Sequence, residues 1–488
     1  MHKKINAALL LVSLVLPLFL FTYTAYNSRG FDDEYFNINH VESYSSVHDL
    51  INAHFSGKFV DIHPVGSYLI NYVLLKLLGS WRLVRTAGAV VSCLSIWLFW
   101  YFIAAEGKDN LTAFFAYIFM CLNPTLLLWC TSVRWYTYFF PLICVMGMLF
   151  CPPDFLNKRK YLFWGIYFLT ASMLFYIESN AAIMIIVSFI LILFQRRKSF
   201  REEYKVILCL GLLSLLAVSK QIYMFLTVLY PSVKDSGEFY SLMRSIAGGG
   251  QNFLCGHAVM PVSAAGIILI IANGLLFLAF IVHFRVAASS YANKFFMLSY
   301  AGIIFSGIGG KIRNYVSLSA VHGNFLADTF SSMKSRKIKL TVLALYIIGT
   351  AWGIHNVVFH TDTTRGTWNT PYDELIEFLE DCASKESCVV VSHNPVFSYH
   401  ARREGFTVID AEANSDWYEK LSAHDGSVIV LRTYKGSMPD EEFRKFNSYI
   451  DSRHIVLAKS FGYDKFAAFK RRFDKDYPDY YAELIVTE

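Results

Sequence analysis

Met1-His2-Lys3-Lys4 opens an apolar run from Ile5 to about Tyr26, and Phe31-Asp32-Asp33-Glu34-Tyr35 follows it. The reading of this stretch decides the fold. One reading is a cleaved signal peptide, the other a first membrane helix that stays. The run is longer than a signal peptide's apolar core of roughly 7–15 residues, and further apolar runs follow, so the retained helix is the better reading. Lys3 and Lys4 then place the N-terminus in the cytoplasm. The three acids open a polar loop on the outer side, from about Asn27 to Val65.

Composition agrees. Of 488 residues 55% are hydrophobic and only 17% charged, with mean hydropathy +0.39. A soluble domain carries about a quarter charged residues, so the balance points to a polytopic α-helical membrane protein. A net charge of +6 is no nucleic-acid footprint, because cytoplasmic loops are expected to be basic.

Beyond the polar loop, Gly66–Leu78 is apolar but short, as in a helix lying along the outer interface. Spans then read from about Arg82 to Ala104, Leu111 to Cys130, Ser132 to Phe150, Tyr161 to Ile177, Ala181 to Phe194, Val206 to Leu229, Val262 to Phe284, Phe295 to Gly310, Tyr315 to Phe330 and Leu340 to Phe359. With the first helix this makes about eleven. The basic loops at Asn157–Lys160, Gln195–Lys205 and Lys334–Lys339 then all fall on the side of the N-terminus, as the positive-inside rule requires. An outer loop from Tyr230 to about Met260 contains Gly248-Gly249-Gly250, read as a flexible turn.

Two domains are expected: a membrane part over 1–360 and a soluble part over 361–488. In the second, strand-like runs at Cys388–Val391, Phe406–Ile409, Ser427–Leu431 and His454–Lys459 alternate with helical stretches at Tyr372–Cys382, Pro395–Arg403 and Glu441–Ile450. This predicts a small C-terminal α/β domain. An odd number of spans puts it outside, in the bacterial periplasm. There a Cys382–Cys388 disulfide and two unpaired thiols both fit.

Residues able to do chemistry gather on the outer side. Asp32, Asp33 and Glu34 read either as a solvated loop or as a source of a base. Arg134, in Ser132-Val133-Arg134-Trp135-Tyr136, opens the fourth span; Lys311 and Arg313, in Lys311-Ile312-Arg313-Asn314-Tyr315, close the ninth. A charge at that depth either snorkels to headgroups or faces a cavity, and a guanidinium fork suits a phosphate. Arg82 and Arg85 read as headgroup anchors, Lys220 as a phosphate contact or an acid's partner, and Glu178 as an acceptor-site acid or an ordinary turn. His40, His48, His54 and His63 lack compact metal-ligand spacing. No metal and no other cofactor is expected.

The pattern resembles the GT-C superfamily of membrane glycosyltransferases, in its protein O-mannosyltransferase and aminoarabinose-transferase-like branch (glycosyltransferase family 39-like). Asp33-Glu34 stands in the first outer loop, and Asp61-Ile62-His63-Pro64 is similar to the family's Asp-x-His-Pro-Pro. Asn123-Pro124 with Ser132–Tyr136 resembles its Ser-x-x-Ala-Arg-x-Tyr helix, and Arg313-Asn314-Tyr315 its late Arg-Tyr motif. Val65 replaces the second proline. Glu178 and Asn180 stand where relatives often carry a histidine.

The resemblance implies that Asp33 is the catalytic base, with Asp32 its nearest competitor. It implies donor or acceptor contacts for Glu34, Asp61, His63, Arg134, Tyr136, Glu178, Lys311, Arg313 and Tyr315. The donor would be a polyprenyl-phosphate sugar, of hexose or pentose type, and transfer would invert the anomeric carbon. The acceptor would be an envelope glycan or glycolipid, such as O-antigen or lipid A, or a protein. The site would open at the outer face of the inner membrane, among lipid. A transporter or flippase for a lipid-linked sugar would explain the intramembrane charges, but it predicts paired repeats that the sequence lacks. A receptor or assembly factor working through the C-terminal domain is the third reading.

Overall fold

The structure, a computed structural model, describes residues 7–28, 30–56, 63–104, 109–229, 241–306, 313–382, 388–411, 416–422, 424, 427–433, 440–472, 475 and 477–487. The chain forms two compact units, one from Met1–Ser28 with His40–Phe359, the other from Arg29–Asn39 with His360–Glu488. The short stretch Arg29–Asn39 thus belongs with the C-terminal residues, although the sequence reading assigned it to the membrane part.

The first unit is the helical part of a mostly helical, multi-span membrane protein. Among the described residues seven helices are long and apolar enough to cross a bilayer: Ala8–Asn27, Trp81–Ile103, Asn110–Cys130, Lys160–Ile177, Phe200–Thr227, Ala264–Val282 and Arg336–Val358. Four of the predicted spans are shorter: Trp135–Met148, Ala181–Gln195, Tyr291–Phe305 and Ser319–Ser332. At 1.5 Å per residue such helices span roughly 20 Å of a core about 30 Å thick. Ser319–Ser332 lies almost wholly inside the protein, where its length need not match the lipid. Phe200–Met224 is the opposite case: Leu213 and Leu216 are 56% and 70% exposed, as lipid-facing residues are.

The polar loop is more ordered than its composition suggested. It contains the helices Asp32–Glu42 and Val47–Phe55. The second is announced by Ser46 and Asp49: the Ser46 hydroxyl accepts the Asp49 N–H at 3.1 Å and donates to the Asp49 carboxylate at 2.6 Å, a reciprocal N-cap. Leu50, Ala53 and His54 form its buried face. Gly248–Gly250 is likewise no flexible turn but part of the helix Leu242–Cys255. A side chain at Gly249 would meet the Tyr315 and Tyr300 rings at 3.2–3.3 Å, so glycine there serves close packing.

Two cations also differ from expectation. Arg85 is buried and donates to the Ser28 carbonyl at 3.0 Å, so it tethers the end of the first helix and does not reach headgroups. Lys220 lies over the Phe55 ring, 4.3 Å from its centre, in a cation–π contact.

His40 and His54 predict an acid-labile outer region. Burial holds both pKa values near 4, below the ordinary 6.5, and for His40 the neighbouring His54 adds to the effect. The native state refuses protons that the unfolded chain accepts, so stability is complete above about pH 6.5 and falls progressively towards pH 4, by roughly 3 kcal/mol per histidine. Proteolysis within 40–56 should accelerate between pH 7 and 5 in the native chain. His40→Leu with His54→Leu should flatten that profile; an unchanged slope would show that other groups govern it.

The second unit carries one mixed sheet: β1 (Cys388–Ser392), β2 (Thr407–Asp410), β3 (Ser427–Thr433), β4 (Ile455–Tyr463) and β5 (Tyr480–Thr487), in the order β2-β1-β3-β5-β4. β1 pairs in parallel with β2 and β3; β5 runs antiparallel to β3 and β4. Helices Tyr372–Cys382, Pro395–Arg403 and Asp440–Asp451 connect or flank the strands. Val391, Val430 and Ile485 pack with Trp417, Phe446 and Ile450 in its core. The segment Phe31–Tyr35 joins this unit through the Tyr35 hydroxyl, 2.8 Å from His400 Nε2, and through Phe31 against Trp368. No disulfide joins any of the nine cysteines, Cys382 and Cys388 included.

Candidate functional site at the buried Arg134

Asn123-Pro124 interrupts a long apolar run. The Asn123 side chain accepts the N–H groups of Thr125 and Leu126, at 2.8 and 3.3 Å, and Pro124 takes the first helical position, where its missing N–H costs nothing. The helix Pro124–Cys130 then stops, and a non-helical joint, residues 131–134, leads into Trp135–Met148. Backbone at this depth needs partners, and the chain supplies them. The Thr131 hydroxyl donates to the Leu127 carbonyl at 2.8 Å, Ser132 to Trp129 at 3.0 Å and Thr137 to Ser132 at 2.5 Å. Asn71 reaches across from the helix Gly66–Leu78 to hold the Val133 carbonyl at 2.8 Å, and is itself held by the Tyr138 hydroxyl. Arg134 is the last residue of this pinned joint and is only 4% exposed.

The second arm comes from His63-Pro64-Val65-Gly66. Gly66 opens its helix directly against the Tyr176 carbonyl; a Cβ there would come within 2.4 Å of that oxygen. This close approach sets His63 beside the end of the helix Lys160–Ile177, where Glu178 turns the chain into Ala181–Gln195.

The three side chains form one line. Arg134 Nη2 lies 3.0 Å from His63 Nε2, and His63 Nδ1 lies 2.8 Å from Glu178 Oε2. An arginine only donates, so Nε2 accepts and the ring proton sits on Nδ1, directed at the carboxylate. A neutral imidazole therefore joins a buried cation to a buried anion, and the Asn180 N–H at 3.2 Å steadies the other carboxylate oxygen. The Trp135 ring stands 6.2 Å from that of His63. Trp135, Glu178, Asn180 and Asn314 share the lining of a cavity of about 10 Å³, room for roughly one water. The helices bearing Arg134 and Glu178 run from here towards the basic loops, so the line lies at the opposite end of the unit.

The structure thus brings His63, Arg134 and Glu178 together. Tyr136 is buried between the Trp129 and Trp135 rings, at 4.4 and 3.8 Å. Tyr315 is buried and donates its hydroxyl to the Ser245 carbonyl at 2.8 Å. Asp32 and Asp33 begin the helix Asp32–Glu42, and Arg313 begins Arg313–Val316; their side chains lie outside the described atoms. Glu34 is buried within the second unit. Asp61 and Lys311 lie outside the described residues. Asn71 and Tyr138 were missed by the sequence reading. Their one signal was a lone amide in the apolar run from Gly66 to Leu78.

Glu178 yields a direct prediction. Glu178→Gln keeps an acceptor for the His63 proton and should preserve the line. Glu178→Leu leaves His63 without it and should lower the stability of the protein by about 1.5–3 kcal/mol, the worth of a hydrogen bond to a charged group, read as a fall in thermal stability. Equal losses in the two variants would mean that the charge of Glu178, not its geometry, matters.

No protein-family model and no curated protein sequence matches the chain. Its fold does match solved structures. Over 99% of this chain and 98% of the other, it superposes on ArnT from Cupriavidus metallidurans bound to undecaprenyl phosphate, with TM-score 0.54 and 10% identity. The apo state of that ArnT covers 98% of each chain with TM-score 0.47 and 11% identity. The first match shows an ArnT-like fold over nearly the whole length of the chain.

Proposed function

We propose that this protein is an inverting membrane glycosyltransferase that moves a sugar from a polyprenyl-phosphate donor to an envelope glycan or glycolipid at the outer face of the bacterial inner membrane. The observation that carries the reading is Arg134: a guanidinium 4% exposed, bonded to His63, which Glu178 holds in turn, at the end of the helices away from the basic loops. The fold shared with ArnT, solved with undecaprenyl phosphate, supports it. Buried charge in a membrane protein is expensive and marks binding or transport paths.

The chemistry asks little of the protein. The acceptor oxygen attacks the anomeric carbon as the bond to phosphate oxygen breaks, and the acceptor's proton passes to a base. The leaving phosphate needs positive charge and N–H donors more than a general acid. Arg134 would supply both, because a guanidinium stays charged and presents its N–H donors as a planar fork. On the family resemblance the base is Asp33, with Asp32 next, and Lys311 and Arg313 would add to the phosphate site. Glu34, Asp61, Tyr136 and Tyr315 would contact donor or acceptor.

Undecaprenyl phosphate added to the purified protein should raise its thermal stability, and Arg134→Leu should lose that increment. A shift of the same size in the variant would remove Arg134 from the phosphate site.

A further inference from the structure

Residues 154–160 and 195–205 carry eight Lys/Arg against three Asp/Glu, a surplus of five in a chain whose whole net charge is +6. The two stretches meet in the structure. Arg196 Nη1 donates to Asn157 Oδ1 at 2.7 Å, and Lys160 Nζ donates to the Glu202 carbonyl at 3.1 Å. Both stand where membrane helices begin or end: Lys160–Ile177 and Phe200–Thr227 start here, and Ala181–Gln195 stops here. The basic patch therefore lies at a bilayer boundary.

The buried acid does not balance its outer cations. Glu203, 2% exposed, is taken up internally: Arg196 grips both carboxylate oxygens, at 2.9 Å from Nε and 2.6 Å from Nη2, and the Trp164 indole donates to it at 2.8 Å. Lys158, Arg159, Arg197, Lys198, Arg201 and Lys205 are exposed, and among the described residues none of them forms a salt bridge.

Two cations also stand against the field of the backbone. Arg159 is the N-cap of Lys160–Ile177 and Lys160 its first residue, in a first turn that holds no acid. The N-terminal end of a helix is its positive end, where a cation is unfavourable and an anion is favoured. Arg197 and Lys198, by contrast, follow the C-terminal end of Ala181–Gln195, where cations are favoured. Phe155, Tyr161, Phe194 and Phe200 are exposed within or next to the two stretches. A free phosphate would meet the charge alone. A lipid with a negative headgroup would meet the charge and, with its glycerol and acyl part, the rings.

We infer that this face is a binding surface for an anionic phospholipid of the leaflet at the basic-loop end of the helices. The inference does not rest on the proposed transferase activity.

Native mass spectrometry of the full-length protein, released from detergent micelles, reads the bound lipid directly. Offered phosphatidylglycerol and phosphatidylcholine of the same acyl chains in equal amounts, the protein should carry phosphatidylglycerol in about ten-fold excess. Lys158→Gln with Arg197→Gln and Arg201→Gln should abolish most of that preference. Lys334→Gln with Arg336→Gln and Lys337→Gln, which removes as many cations from another basic loop, should leave it nearly unchanged. All six side chains are exposed, so neither variant disturbs packing. Inorganic phosphate in excess should not displace the lipid. The inference is overturned if the two lipids bind equally, if both triple variants lose the preference alike, or if inorganic phosphate removes phosphatidylglycerol.

Discussion

Arg134→Leu is expected to lower kcat/KM for the lipid-linked donor by a thousand-fold or more. Two losses combine. Removing one member of a buried charge pair strands the other, at a cost of about 3–5 kcal/mol; here Glu178, 3% exposed, would keep His63 and the Asn180 N–H as partners among the described residues but lose the guanidinium beyond the imidazole. Losing one pre-set donor to developing negative charge costs roughly 10²–10³ in kcat. The two are separable. In Arg134→Leu with Glu178→Leu no stranded charge remains, so thermal stability should recover while turnover stays low. If turnover recovers with stability, Arg134 supports the fold and not the reaction. Arg134→Lys should retain part of the activity, because it keeps the charge without the two-pronged fork.

The second large effect is expected at Asp33. If Asp33 is the base, Asp33→Asn should reduce kcat by about 10²–10⁴, the usual worth of general base catalysis, and leave the apparent affinity for undecaprenyl phosphate nearly unchanged. Asp32→Asn should cost much less, and Asp33→Glu should restore a measurable fraction. The pattern is diagnostic because the acids adjoin in sequence: a merely electrostatic loop would respond similarly to either substitution. Full turnover in Asp33→Asn would move the base elsewhere and leave the Arg134 proposal standing.

Much of this architecture was legible in the sequence, for identifiable reasons. Spans are set by runs of apolar residues against a fixed bilayer thickness, and the three basic loops fix their parity. Hence even the hairpin Lys160–Ile177 and Ala181–Gln195, turning on three polar residues, could be placed. The β1, β2 and β3 strands stood out as β-branched runs between turn residues. β5 was overlooked, because Tyr480 to Thr487 follows a charged stretch and gains its identity by pairing with two strands at once. The helices Asp32–Glu42 and Leu242–Cys255 were hidden by composition: polar residues and a glycine triplet read as loop until tertiary contacts override propensity.

The site was legible in part. His63, Arg134 and Glu178 could each be singled out, as a motif residue, a deep charge and a turn acid. That they form one line could not, since it depends on the closeness of Gly66 to the Tyr176 carbonyl and on Asn71 pinning Val133. Neither contact has a local pattern. Arg85 shows the converse: its spacing suggested an interfacial anchor, and only the end of the first helix reveals its partner.

The most direct test follows the lipid. Purified protein in nanodiscs, given a radiolabelled polyprenyl-phosphate sugar and envelope glycan or glycolipid acceptors, should release free polyprenyl phosphate in step with labelled acceptor of inverted anomeric configuration, and the Arg134→Leu protein should release almost none. Movement of intact donor across a proteoliposome membrane, with no lipid phosphate set free whatever acceptor is supplied, would contradict the account.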